Sequence, residues 1–93
     1  QALMVPFARQ QPRLERLLMQ TAEQEGKQIR LHVEGGTAEL DRNVLERITP
    51  ALEHLLRNAV THGIESAEQR RAAAKPEVGQ VRIVARRDGA QLL

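Results

Sequence analysis

His54, Arg57, Asn58 and His62 fall within nine consecutive positions of an otherwise leucine-rich stretch, LEHLLRNAVTHGIE, residues 52–65. At about 100° per residue on a helix, His54, Asn58 and His62 (i, i+4, i+8) form one ridge, with Arg57 and Thr61 on the adjoining polar arc. A transition-metal site wants His at i and i+4 with a further Asp, Glu or Cys, which this set lacks. Asn58 is instead an oxygen ligand suited to a hard cation such as Mg2+, which keeps some waters and shares its other positions with phosphates. Arg57 and His62 can hold phosphate oxygens. His54, one turn before Asn58, can orient or deprotonate a hydroxyl or water beside the metal. The set makes sense as one side of a magnesium-nucleotide site, and a ridge where a helix meets its sheet suits a cleft wall. Spacing alone favours the plainer reading, the exposed polar flank of an amphipathic helix that needs no function.

The helix that carries the ridge is DRNVLERITPALEHLLRNAVTHGIE. Val44, Ile48, Leu52, Leu55 and Ala59, flanked by Leu56 and Val60, read as its apolar stripe. Pro50 either starts a second helix with Thr49 as N-cap or kinks a continuous one, and Gly63 is placed to close it. Upstream, Leu3, Met4, Val5 and Phe7 form a short apolar end around Pro6. Pro12 then suits the first turn of a helix with Leu14, Leu17, Leu18 and Ala22 at helical spacing, ended by Gly26 in the left-handed conformation.

QIRLHVE alternates with the two-residue period of a half-buried strand, which puts His32 on the solvent side. Gly35 and Gly36 supply a turn, and a short strand follows at Ala38 to Asp41. SAEQRRAAAKPEVG reads as a short exposed connecting helix ended before Pro76. QVRIVARR is a strand with Val81, Ile83 and Ala85 on one face, and Asp88-Gly89 marks a hairpin turn into AQLL. Leu92 and Leu93 read as a strand without a closing signal, so the natural protein is expected to continue. This order predicts an α/β (α+β) class, a two-layer α/β sandwich with helices on one face of a mixed sheet.

Composition narrows the function classes. The chain of 93 residues is one small domain, 41% hydrophobic and 28% charged, the balance of a soluble globular protein. No apolar run approaches a membrane span and no secretory start is visible, so direct membrane insertion is not expected. Zero cysteines exclude a disulfide framework and thiolate metal sites, in keeping with a cytoplasmic location. The 14 Lys and Arg are interspersed with 12 Asp and Glu, and Phe7 is the sole aromatic. A chain with no basic block and no stacking platform is not expected to bind nucleic acid.

HLLRNAVTHGIE resembles the N box of the CheA-type chemotaxis histidine kinases, whose ATP-binding domain has the Bergerat-type fold. ELDRNVLERITPALEHLLRNAV resembles the family's approach to that box, and RRAAAKPEVGQVRI its downstream segment. LMVPFARQQPRLERLLMQTAEQEGKQIRL is similar to the junction between the dimerisation helices and the kinase core. The resemblance therefore implies an end of the dimerisation region or linker at 1–10. It implies the N-terminal part of the ATP-binding domain at 11–93, ahead of the Asp-x-Gly-x-Gly motif. The variant is most similar to the CheA-like sensor kinase/response regulator hybrids of type IV pilus (twitching) systems.

What the resemblance implies for the site is specific. Asn58 is the Mg2+ ligand. His54 stands where many relatives have Glu, and joins the metal site or polarises the attacking group. Arg57 and His62 contact the triphosphate of ATP. The implied reaction moves the γ-phosphoryl of ATP to a histidine on a separate phosphotransfer domain. A response regulator and chemoreceptor or adaptor proteins are further partners, and the parent is a homodimer. The 93 residues alone are expected to be inactive. Two positions depart from the pattern: Thr61 replaces the usual Asp before His-Gly, and Ala74 replaces the usual Gly before Lys-Pro, which bears on the local turn. Thr61 favours an alternative, a non-catalytic kinase-like scaffold in a signalling array.

Overall fold

Prolines punctuate the start of the chain. In the computed structural model, which describes residues 3–86 and 89–92, strand β1 (Met4–Pro6) precedes a 3-10 turn, Phe7–Gln10. The Phe7 and Ala8 N–H groups donate to the Ala38 and Gly36 carbonyls, both at 2.9 Å. β1 pairs antiparallel with β3 (Glu39–Asp41), Val5 opposite Leu40. Val5 and Phe7 are buried in the main core, so the apolar end around Pro6 is built into the folded body.

Helix α1 (Gln11–Gln24) has its proline in the first turn and buries Leu14, Leu18 and Ala22. It stops as the sequence predicts. Gly26 adopts φ +66°, its N–H donating to the Glu23 carbonyl at 3.2 Å, and the Lys27 N–H donates to the Ala22 carbonyl at 2.8 Å. That is a Schellman end, with glycine at the position whose left-handed backbone crowds a Cβ.

Strand β2 (Gln28–Glu34) follows directly, with Ile29, Leu31 and Val33 half-buried against the core and the alternate residues exposed. It pairs in parallel with β4 (Val78–Arg86), which pairs antiparallel with β5 (Gly89–Leu92), giving the order β2-β4-β5. A parallel pair needs a long crossover, and the segment from β3 through the second and third helices supplies it. Arg86 lies opposite Gly89, which places Gly89 in the strand. Asp88, the other half of the expected Asp88-Gly89 turn, lies outside the described residues, as does Leu93.

Helix α2 (Arg42–Asn58) begins at Asp41, whose carboxylate accepts from the Asn43 N–H at 2.8 Å and the Val44 N–H at 3.3 Å. It runs unbroken through Pro50, so no second helix starts there and Thr49 is not an N-cap. Pro50 has no N–H for the Glu46 carbonyl. Thr49 is instead fully buried, its hydroxyl donating to the Leu45 carbonyl at 2.6 Å. The buried row is Leu45, Thr49, Leu52, Leu56 and Val60, whereas Val44 and Leu55 are 45% and 46% exposed. The expected stripe is thus rotated by one residue. A threonine whose hydroxyl is satisfied within its own helix packs much as a valine does, so the polar letter at 49 disguised the true face.

Helix α3 (Ala67–Ala72) is only six residues long and starts with a capping box. The Ser66 hydroxyl accepts from the Gln69 N–H at 3.2 Å, and the Gln69 side-chain oxygen accepts from the Ser66 N–H at 3.1 Å. Its far end is a second Schellman turn. The Lys75 N–H donates to the Arg70 carbonyl at 2.8 Å and the Ala74 N–H to the Arg71 carbonyl at 3.0 Å, with Ala74 at φ +58°. An L-residue with a Cβ pays roughly 1–2 kcal/mol for that conformation. Ala74→Gly should therefore raise unfolding stability by about 1 kcal/mol, read as a higher urea midpoint at unchanged slope.

Side chains of α1 and α2 meet Val81, Ile83 and Ala85 of β4 in one apolar cluster. The body spans 53 × 20 × 17 Å. The architecture is therefore mixed α/β with three helices and two small sheets among the described residues. No described helix is long and apolar enough to cross a membrane.

Candidate functional site

The C-terminal half of α2 presents His54, Arg57 and Asn58 to solvent, because Leu52 and Leu56 turn the opposite face into the core. One turn apart, His54 Nε2 and Asn58 Nδ2 lie 3.3 Å from each other. An amide nitrogen can only donate, so in this contact His54 Nε2 is the acceptor. That contact turns the Asn58 Oδ1 oxygen away, and among the described residues no side chain donates to it.

Beyond Asn58 the helix widens into a π-helical turn, Ala59–Gly63, before Ile64 returns to extended backbone at φ −124°, ψ 132°. Thr61 and His62 are exposed on this turn and Val60 is fully buried beneath it. A π turn advances less per residue than an α turn, so His62 is rotated back from where a straight α-helical count places it. Gly63 ends the helix as expected. It does so without the left-handed backbone, since the positive-φ residues among those described are Gly26, Gly35 and Ala74. The structure brings His54 and Asn58 together. Arg57 and His62 share the exposed side without a side-chain hydrogen bond to either.

Two groups of residues brace the turn. Lys27 Nζ donates to the Val60 carbonyl, and to the Thr61 carbonyl at 3.2 Å. On the other side the Glu65 carboxylate accepts from Arg70 at 3.1 Å and Lys75 at 2.5 Å, while Arg70 Nε donates to the Pro76 carbonyl at 2.6 Å. Glu65 thus ties the exit of the turn to α3 and to the approach to β4. Next to it, Ile64 packs so closely on Gly79 that a Cβ there would lie 2.7 Å from Ile64 Cγ2. Neither Lys27 nor Glu65 stood out in the sequence. A lysine directly after a capping glycine is an available signal for the first, and the spacing of Glu65, Arg70 and Lys75 matches no helical period.

The hydrogen bond from Lys75, the Glu65 backbone and the nearby cations hold the Glu65 carboxyl down from 4.5 to about 2. A depressed folded-state value means stabilisation that is complete above pH 4.5 and is lost as pH falls from there through about 2. Glu65→Gln should flatten the acid limb of stability in that window, measured as the pH dependence of the urea midpoint. Because the group is exposed, the effect is screened by salt and should shrink at high ionic strength.

A groove of about 760 Å³ runs between α1 and β2, lined in part by Leu18, Met19, Ala22, Ile29 and Val78. None of the four ridge residues lines it, and all four are exposed. Among the described residues, no three His, Asp or Glu side chains converge there to cage a metal. A cation on the ridge would have Asn58 as an oxygen ligand and take its remaining ligands from water and phosphate.

No protein-family model matches the chain. Curated proteins do. It is 44% identical over 73 residues, 78% of its length, to the chemotaxis protein CheA of Cereibacter sphaeroides. It is 40% identical over 74 residues, 80% of its length, to the sensor histidine kinase CheAY of Helicobacter pylori. A gliding motility regulatory protein of Myxococcus xanthus is 36% identical over 92 residues, 99% of the chain. The chain spans 11%, 9% and 12% of these relatives respectively. The chain is thus similar to a segment of proteins whose names are those of a chemotaxis protein and a sensor histidine kinase. More particularly, it is homologous to one segment of the CheA proteins.

Proposed function

We propose that this chain is the part of a sensor histidine kinase that builds one wall of its ATP site, in a Bergerat-type fold that further chain completes. The observation that carries the reading is the His54–Asn58 contact, which leaves an oriented, exposed amide oxygen beside Arg57 and His62. Similarity to a protein named a sensor histidine kinase supports it.

The donor set fits a magnesium nucleotide. Asn58 Oδ1 would hold Mg2+, and His54 fixes the amide so that the oxygen faces out. Arg57 and His62 would hold triphosphate oxygens by charge-assisted hydrogen bonds. Magnesium bound there supplies neutralisation of the charge on the phosphates. His54 has Nδ1 left to polarise a group near the phosphates while Nε2 stays engaged with Asn58. In the complete protein the γ-phosphoryl passes to a histidine on a phosphotransfer domain and then to a response regulator. Receptor or adaptor proteins set the rate, and the kinase works as a cytoplasmic homodimer. The hybrid kinases of type IV pilus systems are the proposed setting.

The test is to supply γ-labelled ATP and the phosphotransfer domain to the complete protein. Label on a histidine is the expected result, and no label from a folded protein overturns the kinase reading. Thr61 favours a second reading, a kinase-like scaffold without turnover. It is exposed on the π turn, where the CheA-type pattern has a carboxylate. Thr61→Asp should raise the phosphotransfer rate of a kinase and leave a scaffold silent.

A further inference from the structure

We infer that Lys27 is a positioning residue for the magnesium-nucleotide ridge, holding from outside the site the turn that carries Thr61 and His62. The inference deepens the kinase reading and rests on it.

Lys27 is itself firmly placed. Its N–H closes the Schellman end of α1 on the Ala22 carbonyl at 2.8 Å, and the next residue begins β2. The backbone at Lys27 is therefore fixed between a helix and a strand. From there its half-buried side chain reaches residues 33 and 34 positions further on, donating to the Val60 and Thr61 carbonyls.

Those carbonyls are the ones that need a donor. The last carbonyls of a helix have no N–H partner within it, and together they carry the negative end of the helix dipole. An ammonium has three protons and a positive charge, so it can serve two such oxygens at once. Among the described residues, Lys27 forms no ion pair with a carboxylate. Its charge is directed at the turn.

The consequence for the ridge follows from peptide planarity. The Val60 carbonyl belongs to the peptide unit joining Val60 to Thr61, and the Thr61 carbonyl to the unit joining Thr61 to His62. Holding both oxygens fixes the two consecutive planes that lead into His62, and with them the position of the His62 Cα from which its side chain departs. The buried Val60 side chain pins the turn from within. Lys27 pins it from without, with no hydrogen bond to a ridge side chain among the described residues. A π turn has weaker intrinsic support than an α turn, so it depends on such external contacts.

The experiment compares Lys27→Met and Lys27→Arg with the unaltered complete protein, by calorimetric titration with Mg-ATP and by amide hydrogen exchange. Lys27→Met should weaken Mg-ATP binding about tenfold and Lys27→Arg should recover most of it, the size expected for a supporting contact behind a ligand-binding group. Exchange at Thr61 to Ile64 should quicken in Lys27→Met while β2 and β4 keep their protection. Unchanged affinity in Lys27→Met, or a loss of protection spread over the whole domain, overturns the inference and leaves the kinase reading standing. No binding by the unaltered, folded protein overturns the kinase reading and this role with it.

Discussion

Asn58→Ala should remove saturable, magnesium-dependent ATP binding from the complete protein if the proposed site is right, weakening it by about 100-fold or more. The expected loss is large because the ridge offers the cation this amide oxygen and no carboxylate cage among the described residues. Stability should hardly change, within about 0.5 kcal/mol, because Asn58 is exposed and its side-chain partner is the equally exposed His54. Calorimetry with and without Mg2+, beside a thermal melt, separates the two effects. Asn58→Asp is the informative companion. It keeps an oxygen ligand but can no longer donate to His54, so the imidazole must donate from Nε2 and shift its tautomer. Magnesium binding should survive that change, with nucleotide affinity reduced by the added negative charge. Full ATP affinity in a folded Asn58→Ala protein would place the nucleotide elsewhere.

Gly35→Ala should cost more stability than any other single methyl addition at a glycine described here. Gly35 follows β2 at φ +75°, and a Cβ on it would sit 2.0 Å from the Ala85 carbonyl oxygen. That oxygen belongs to the backbone of β4, which is paired on both sides, so it cannot yield without breaking strand pairing. The expected loss is more than about 4 kcal/mol. Against a total of roughly 5–14 kcal/mol for a domain of this length, it leaves a large unfolded fraction. Gly26→Ala is the control. It has a similar φ of +66° but nothing within 4 Å of the added Cβ, so only the left-handed strain of about 1–2 kcal/mol applies. Urea unfolding of the two variants side by side decides the matter, and equal losses would show that the close approach to Ala85 is not limiting.

Much of this molecule is local and could be read from its letters. The alternation of QIRLHVE became β2, Gly26 ended α1 in the left-handed conformation, and the pattern from Gln80 to Arg86 became part of β4 with Val81, Ile83 and Ala85 inward. Ala74, singled out as a departure at a turn, does occupy a backbone region that favours glycine. The types and spacing of His54, Arg57, Asn58 and His62 placed them on one exposed side. Each of these is a matter of φ/ψ preference or helical and strand period, which neighbouring residues determine among themselves.

Tertiary structure decided the rest. β1 has three residues and a proline, so no period marks it, and it exists because β3 pairs with it some 35 positions away. The buried face of α2 includes Thr49, a position that hydropathy assigns to the surface until its own helix satisfies the hydroxyl. The π turn after Asn58, the reach of Lys27 to its carbonyls and the Glu65 clamp all depend on which distant backbones meet. A periodic pattern tells a residue which way to face. It does not tell a lysine at the end of one helix that the unpaired carbonyls of another will lie within reach, because that distance is set by packing of the whole core.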